Sequence, residues 1–134
     1  MMGGQRVKED IKKYIDQAIA ATVTRLKLEG ILNSNTRTAY EKTETVLRRY
    51  PELKEIRHPA AQKICAEIEA CLQSASNEPY VDVIRLFYFE GMTNAACALE
   101  LQCEERTARR NRKKLVEDFS VRLASEEFIR EILL

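Results

Sequence analysis

The sequence predicts an all-α fold, a helical N-terminal region packed on a C-terminal helix-turn-helix unit. Three observations lead there. Apolar residues recur at three- and four-residue spacing over long stretches, the period of one helix face. Alternating β-branched runs and Asn-Gly or Asp-Gly hairpin signals are missing. Short polar connectors separate the periodic stretches.

The first helix is expected from Gln5 to Glu29, with Val7, Ile11, Ile15, Ala18, Ile19, Thr22 and Leu26 on one stripe. Gly30 is read as its C-terminal stop, and Asn33-Ser34-Asn35-Thr36 as a connector that caps the next helix. That second helix spans about Arg37 to Arg49, with Tyr40, Thr43, Leu47 and Tyr50 on one face. Pro51 is expected to break it at Tyr50. Leu53 and Ile56 continue apolar character through a short helical turn. A third helix begins near Pro59, where proline suits the first helical position, and turns Ile64, Cys65, Ile68, Cys71 and Leu72 inward. The polar run Ser74 to Pro79 is the clearest loop. It divides a helical N-terminal region, 1–76, from a C-terminal unit, 77–134.

In that C-terminal unit, Tyr80 to Phe89 is too densely apolar for one exposed face and suits a helix packed between the two halves. Glu90-Gly91-Met92 breaks it. Thr93 then caps a short helix from Asn94, in which Cys97 and Leu101 can point inward and Ala95, Ala96 and Ala98 permit a close crossing. Leu99 falls off that face. Gln102-Cys103 makes a tight turn, and the helix 104–123 follows. Ser125 to Leu134 reads as a capped short helix whose Phe128, Ile129, Ile132 and Leu133 are expected to fold back on the core, with an exposed partner-binding helix as the alternative.

Composition bounds what such a chain does. With 134 residues and 45% hydrophobic side chains it can build one compact unit, or two small subdomains sharing a core. No apolar run reaches the roughly 18 residues of a membrane span, and the start Met1 to Arg6 lacks the apolar core of a signal peptide, so a cytoplasmic location is expected. Cys65, Cys71, Cys97 and Cys103 show no C-x-x-C spacing and stand apart from the single histidine, His58. They read as small buried hydrophobes, with no metal or cofactor expected. No Gly-rich phosphate loop or recognisable carboxylate pair is present, so an enzyme is not expected.

Net charge is only +1, yet charge is concentrated locally. Between Glu104 and Leu115 stand six cations, Arg106, Arg109, Arg110, Arg112, Lys113 and Lys114, against the two anions Glu104 and Glu105. At about 100° per residue, Arg106, Arg109, Arg110 and Lys113 share an arc roughly 100° wide, while Ala108, Leu115, Phe119 and Leu123 face the core. Arg112 is expected near the edge of the apolar arc, snorkelling or paired with an acid. Cationic runs on helices are commonly solvated faces. What singles this one out is the helix, turn and helix before it, because a major groove admits one α-helix and arginine matches guanine O6 and N7. Thr107 is placed to read a base or a phosphate, with filling a partly exposed position as the alternative. Thr93 and Asn94 are placed to anchor a phosphate at a helix start.

The run from Gly91-Met92-Thr93 through Leu101-Gln102-Cys103-Glu104-Glu105-Arg106-Thr107-Ala108-Arg109-Arg110-Asn111-Arg112-Lys113-Lys114-Leu115-Val116 resembles the C-terminal unit of ArpU/RinA-type phage transcriptional regulators. That unit is similar to region four of bacterial sigma factors. Glu44 to Lys54, with its Tyr50-Pro51 step, resembles the family's N-terminal helix end. The resemblance implies a small helical regulator of late phage or prophage genes, with double-stranded promoter DNA and host RNA polymerase as partners and no membrane. Carried over by position, Glu105, Arg106, Arg109, Arg110 and Lys113 would face the groove. Glu104 stands where a short capping Ser is usual, and Cys97 where a branched aliphatic is usual. Two other readings compete: a small phage DNA-packaging (terminase small) subunit, and a protein-only adaptor whose basic helix docks an acidic partner. The N-terminal stripe is expected to pack internally in part, with a homodimer interface as the alternative.

Overall fold

The computed structural model describes residues 2–32 and 36–133, with side chains described for 6–19, 27, 30–32 and 36–132. It is all-helical, with no strand among the described residues. Among the described residues seven α-helices follow one another: α1 (Met2–Leu32), α2 (Ala39–Leu53), α3 (Pro59–Ser74), α4 (Asp82–Ile84), α5 (Asn94–Leu101), α6 (Glu105–Leu123) and α7 (Glu126–Leu133). A π-helical turn, Arg85–Phe89, continues α4 without interruption.

Helices α2 and α6 pack on each other at the centre, and the rest gathers around them. Helix α3 lies against both, α7 closes the far side against α3 and α6, and α5 rests on α6. Buried residues on both sides of the 74–79 loop, among them Leu47, Ile64, Ile68, Ile84, Val116 and Leu123, belong to one cluster. The two halves thus share a core.

Four expected boundaries move in the first two helices. Helix α1 runs from Met2 through Gly30 to Leu32. Glycine within a helix costs about 1 kcal/mol, and burying Leu32, 2% exposed, among α2 and α3 offsets that. Helix α2 starts at Ala39 because Thr38 caps it: its Oγ1 accepts the Glu41 N–H at 3.1 Å. Asn33, Ser34 and Asn35, assigned as connector and cap, lie outside the described residues. The same helix continues through Pro51 to Leu53. Proline there forfeits one hydrogen bond in the last turn, while Tyr50 and Leu53 bury on the core side of that turn.

Helix α3 starts at Pro59, and His58 is its cap, Nδ1 accepting the Ala60 N–H at 3.1 Å. The dense apolar segment holds a difference. Its α-helix begins only at Asp82 and widens into the π turn, where the Glu90 N–H donates to the Arg85 carbonyl, five residues back. Leu86 to Phe89 are four large apolar residues in a row, more than one α-helical stripe can cover. The wider turn buries Leu86 and Tyr88 and half-buries Phe87 and Phe89. Ser125 caps α7 by accepting the Phe128 N–H, and Phe128, Ile129 and Ile132 bury as expected, while the side chain of Leu133 is outside those described.

One expectation is not met where the side chains of α1 are described. Val7, Ile11, Ile15 and Ile19, expected to pack internally in part, are all exposed, at 50% to 57%. They lie far along a helix whose C-terminal Leu32 is, among the described residues, the one that enters the core. The side chains of Thr22 and Leu26 are outside those described.

Candidate nucleic-acid interface

The helix α5, a three-residue turn and helix α6 form one continuous unit. Thr93 begins it, its Oγ1 accepting the Ala96 N–H at 3.1 Å. Helix α5 buries Cys97 and Ala98 and leaves Leu99 81% exposed, off the packed face as expected. Burial pushes the Cys97 thiol up from its usual range, with the Arg112 charge pulling the other way. The turn closes in two backbone bonds, Gln102 N–H to Leu99 C=O at 3.2 Å and Cys103 N–H to Ala98 C=O at 3.0 Å. That is a Schellman ending, and it puts Gln102 in the left-handed region at φ 55°.

Helix α6 begins at Glu105. Glu104 occupies the cap position without capping through its side chain. Ala108, Leu115, Phe119 and Leu123 are buried, as their arc predicts, and Val116 joins them at 0% exposure. Arg106, Arg109, Arg110 and Lys113 are exposed on the other side. Arg109 bends back to Glu105, Nη2 to Oε1 at 2.5 Å, so two of the groove-facing candidates neutralise each other. Among the described residues no ion pair engages Arg106, Arg110 or Lys113. Those three present unneutralised charge. Thr107 is half-buried, and its carbonyl accepts from Asn111 Nδ2 at 2.8 Å. Lys114, outside the cationic arc, reaches Glu78 at 3.8 Å.

Arg112 is not at the edge of the apolar arc but within it. Leu123 and Val116 extend that arc to about 100° round the helix from Leu115 and leave Arg112 between buried neighbours. Its guanidinium carbon stands 3.7 Å from the centre of the Phe87 ring, and Nη1 donates to Asn94 Oδ1. The partner is an aromatic ring and an amide, where snorkelling or an acid was expected. Arg112 Nε is buried without a hydrogen-bond partner.

This contact belongs to a larger cluster that no single stretch of sequence reveals. Arg48 of α2 stands 5.5 Å from the Phe87 ring and 5.1 Å from that of Tyr88. Tyr88 Oη donates to Glu44 Oε2 at 2.8 Å, and Glu44 pairs with Arg48 at 3.6 Å. Tyr50 stacks against Phe89 with ring centres 4.4 Å apart. Burial, then the hydrogen bond to Glu44, pushes the Tyr88 phenol well above its ordinary value. The cluster ties α2, the π turn, α5 and α6 together and sets the pose of the cationic face. The signal for it was present in one respect, since a lone cation amid the apolar arc of α6 asks for a buried partner.

Asn94 was assigned to a phosphate, but its side-chain oxygen is committed to Arg112. The Thr93 oxygen is likewise committed to its own helix. What these two side chains can still offer a ligand is the hydroxyl proton of Thr93 and the amide end of Asn94.

Compared with protein-family models, curated proteins and solved structures, the chain matches none.

Proposed function

We propose that the chain is a sequence-specific DNA-binding regulator of transcription that reads promoter DNA with the helix 104–123. The observation that carries this reading is the face of α6. Arg106, Arg110 and Lys113 stand exposed and unneutralised on one side, while Ala108, Leu115 and Phe119 anchor the other, directly after a short helix and a tight turn. Such a helix can enter a major groove without unpacking. Arg106 and Arg110 suit guanine edges and Lys113 suits a phosphate. Arg109 joins them once DNA displaces Glu105, an exchange that favours sites offering a strong acceptor. The resemblance to ArpU/RinA-type regulators supports phage or prophage late genes as the targets and host RNA polymerase as a second partner.

The test begins with selecting bound duplexes from a random library, followed by mobility-shift titration on the selected site. Arg106→Ala and Arg110→Ala should each weaken specific binding by about 1–3 kcal/mol, and Lys113→Ala should lower the salt slope by about one. Equal affinity of all three variants with the parent would sink the assignment. A chain that shows no salt-dependent binding to any duplex would instead favour the adaptor reading.

A further inference from the structure

We propose that α1 is a self-association surface, pairing with α1 of a second copy of this chain through Val7, Ile11, Ile15 and Ile19. The first ground is exposure. Every residue from Arg6 to Ile19 is exposed, and the four aliphatic side chains of the row are at least half so, with Tyr14 at 74%. An isolated stretch of this length is marginal as a helix in water unless its apolar face is covered. Nothing in the same chain covers it among the described residues.

The second ground is spacing. The four residues sit four apart, which forms one continuous ridge along the helix. Two copies of an evenly spaced ridge match each other in either direction, and interdigitation of such ridges is the commonest form of helix packing.

Charge then selects the occupant. One row beside the ridge holds Lys8, Lys12 and Asp16, and the row on its other side holds Arg6, Asp10 and Tyr14. Each flank therefore carries both signs. A second copy brings opposite charges to both flanks, whereas a uniformly acidic or basic partner would meet repulsion on each. An anionic membrane surface or a nucleic acid calls for a cationic polar face. Arg6 to Ile19 holds four cations against three anions, too even a balance for either. Pairing through α1 needs no DNA and is measured independently of nucleic-acid binding.

The experiment is sedimentation equilibrium on the full chain across the micromolar range. The expected result is a dimer of twice the 15.5 kDa chain mass. Replacing Ile11→Glu with Ile15→Glu should raise the dissociation constant roughly a hundredfold or more. Ile11→Ala with Ile15→Ala should weaken pairing in the same direction, and because alanine favours helix it separates lost apolar contact from lost helix. Leu99→Glu with Val121→Glu, at the two exposed large apolar positions elsewhere among the described residues, should leave the dimer intact. A monomer at every concentration, or a dimer that survives both Ile11/Ile15 pairs, overturns the proposal. So does a ring of more than two copies. A monomer that binds phosphatidylserine vesicles overturns it in favour of a membrane.

Discussion

Arg112 sits in a run of cationic residues, Arg109 to Lys114, interrupted only by Asn111, yet its environment is unlike theirs. Its guanidinium is half-buried on the Phe87 ring and bonded to Asn94, while Arg106, Arg110 and Lys113 face solvent. A cation over an aromatic ring contributes about 2 kcal/mol when desolvated, and a hydrogen bond from a charged donor about 1.5–3 kcal/mol. The unpartnered Nε works against both. Arg112→Ala should therefore lower the unfolding free energy by about 1.5–3 kcal/mol, where Arg106→Ala stays within about 0.5 kcal/mol. Urea unfolding of the two variants measures the contrast, and similar values for both would refute the role given to Arg112. The residue also shows the limit of reading charge from sequence. Its neighbours share its chemistry, and what separates them is which side of the helix meets Phe87.

At the scale of elements, the ends of helices decided more than their middles. Thr93, Thr38, His58 and Ser125 each cap a helix with a side-chain acceptor. The turn between α5 and α6 rests on Gln102 at φ 55°, a conformation that suits glycine better than a residue carrying Cβ. Gln102→Gly should raise the unfolding free energy by up to about 1 kcal/mol, part of the gain being returned through the freer unfolded chain. A destabilised variant in thermal unfolding would show that the glutamine side chain supports the turn in some other way. Gly30 and Pro51 taught the reverse lesson. Both are local stop signals, and both were overridden because a leucine two residues further on is buried.

For the whole molecule, the core is held from the flanks by charged residues that reach between helices. Arg122 of α6 meets Glu67 of α3 and Glu131 of α7, each at 3.1 Å, and stands 4.8 Å from the Phe128 ring. Tyr50 of α2 donates to Glu69 of α3 at 2.7 Å. Burial, followed by the Glu69 hydrogen bond, raises the Tyr50 phenol above its ordinary value, as burial and Glu44 do for Tyr88. Burial, followed by the charge of Glu67, pushes the Cys71 thiol up to about 11. Each of these groups keeps its proton longer in the folded state than in the unfolded one. Their contribution is complete below the unfolded pKa values of 9.0 for the thiol and 10.0 for the phenols, and it is lost as pH rises beyond them. Stability should thus fall from about pH 9 upward, steepening past about pH 10, by at most about 1.4 kcal/mol per pH unit for each group. Urea unfolding across that range, with Tyr88→Phe as a shallower comparison, checks the sign. Stability that rises between pH 9 and pH 11 would contradict it.

By itself the sequence determined the all-α class, the order of helices and the separation of α6 into an apolar and a cationic side. Those properties follow from a period of about 3.6 residues and from cap residues, both of which are local. The exposure of Arg106, Arg110 and Lys113 and the burial of Ala108, Leu115, Phe119 and Leu123 were legible for that reason. Only the tertiary structure decided that Arg112 stacks on Phe87, that Arg109 is held by Glu105 and that Asn94 is spent on Arg112. It alone decided, too, that the ridge of α1 stays outside the core. Periodicity shows that a helix has an apolar face. Which face meets another helix depends on contacts between residues far apart in the chain, and no local pattern encodes those.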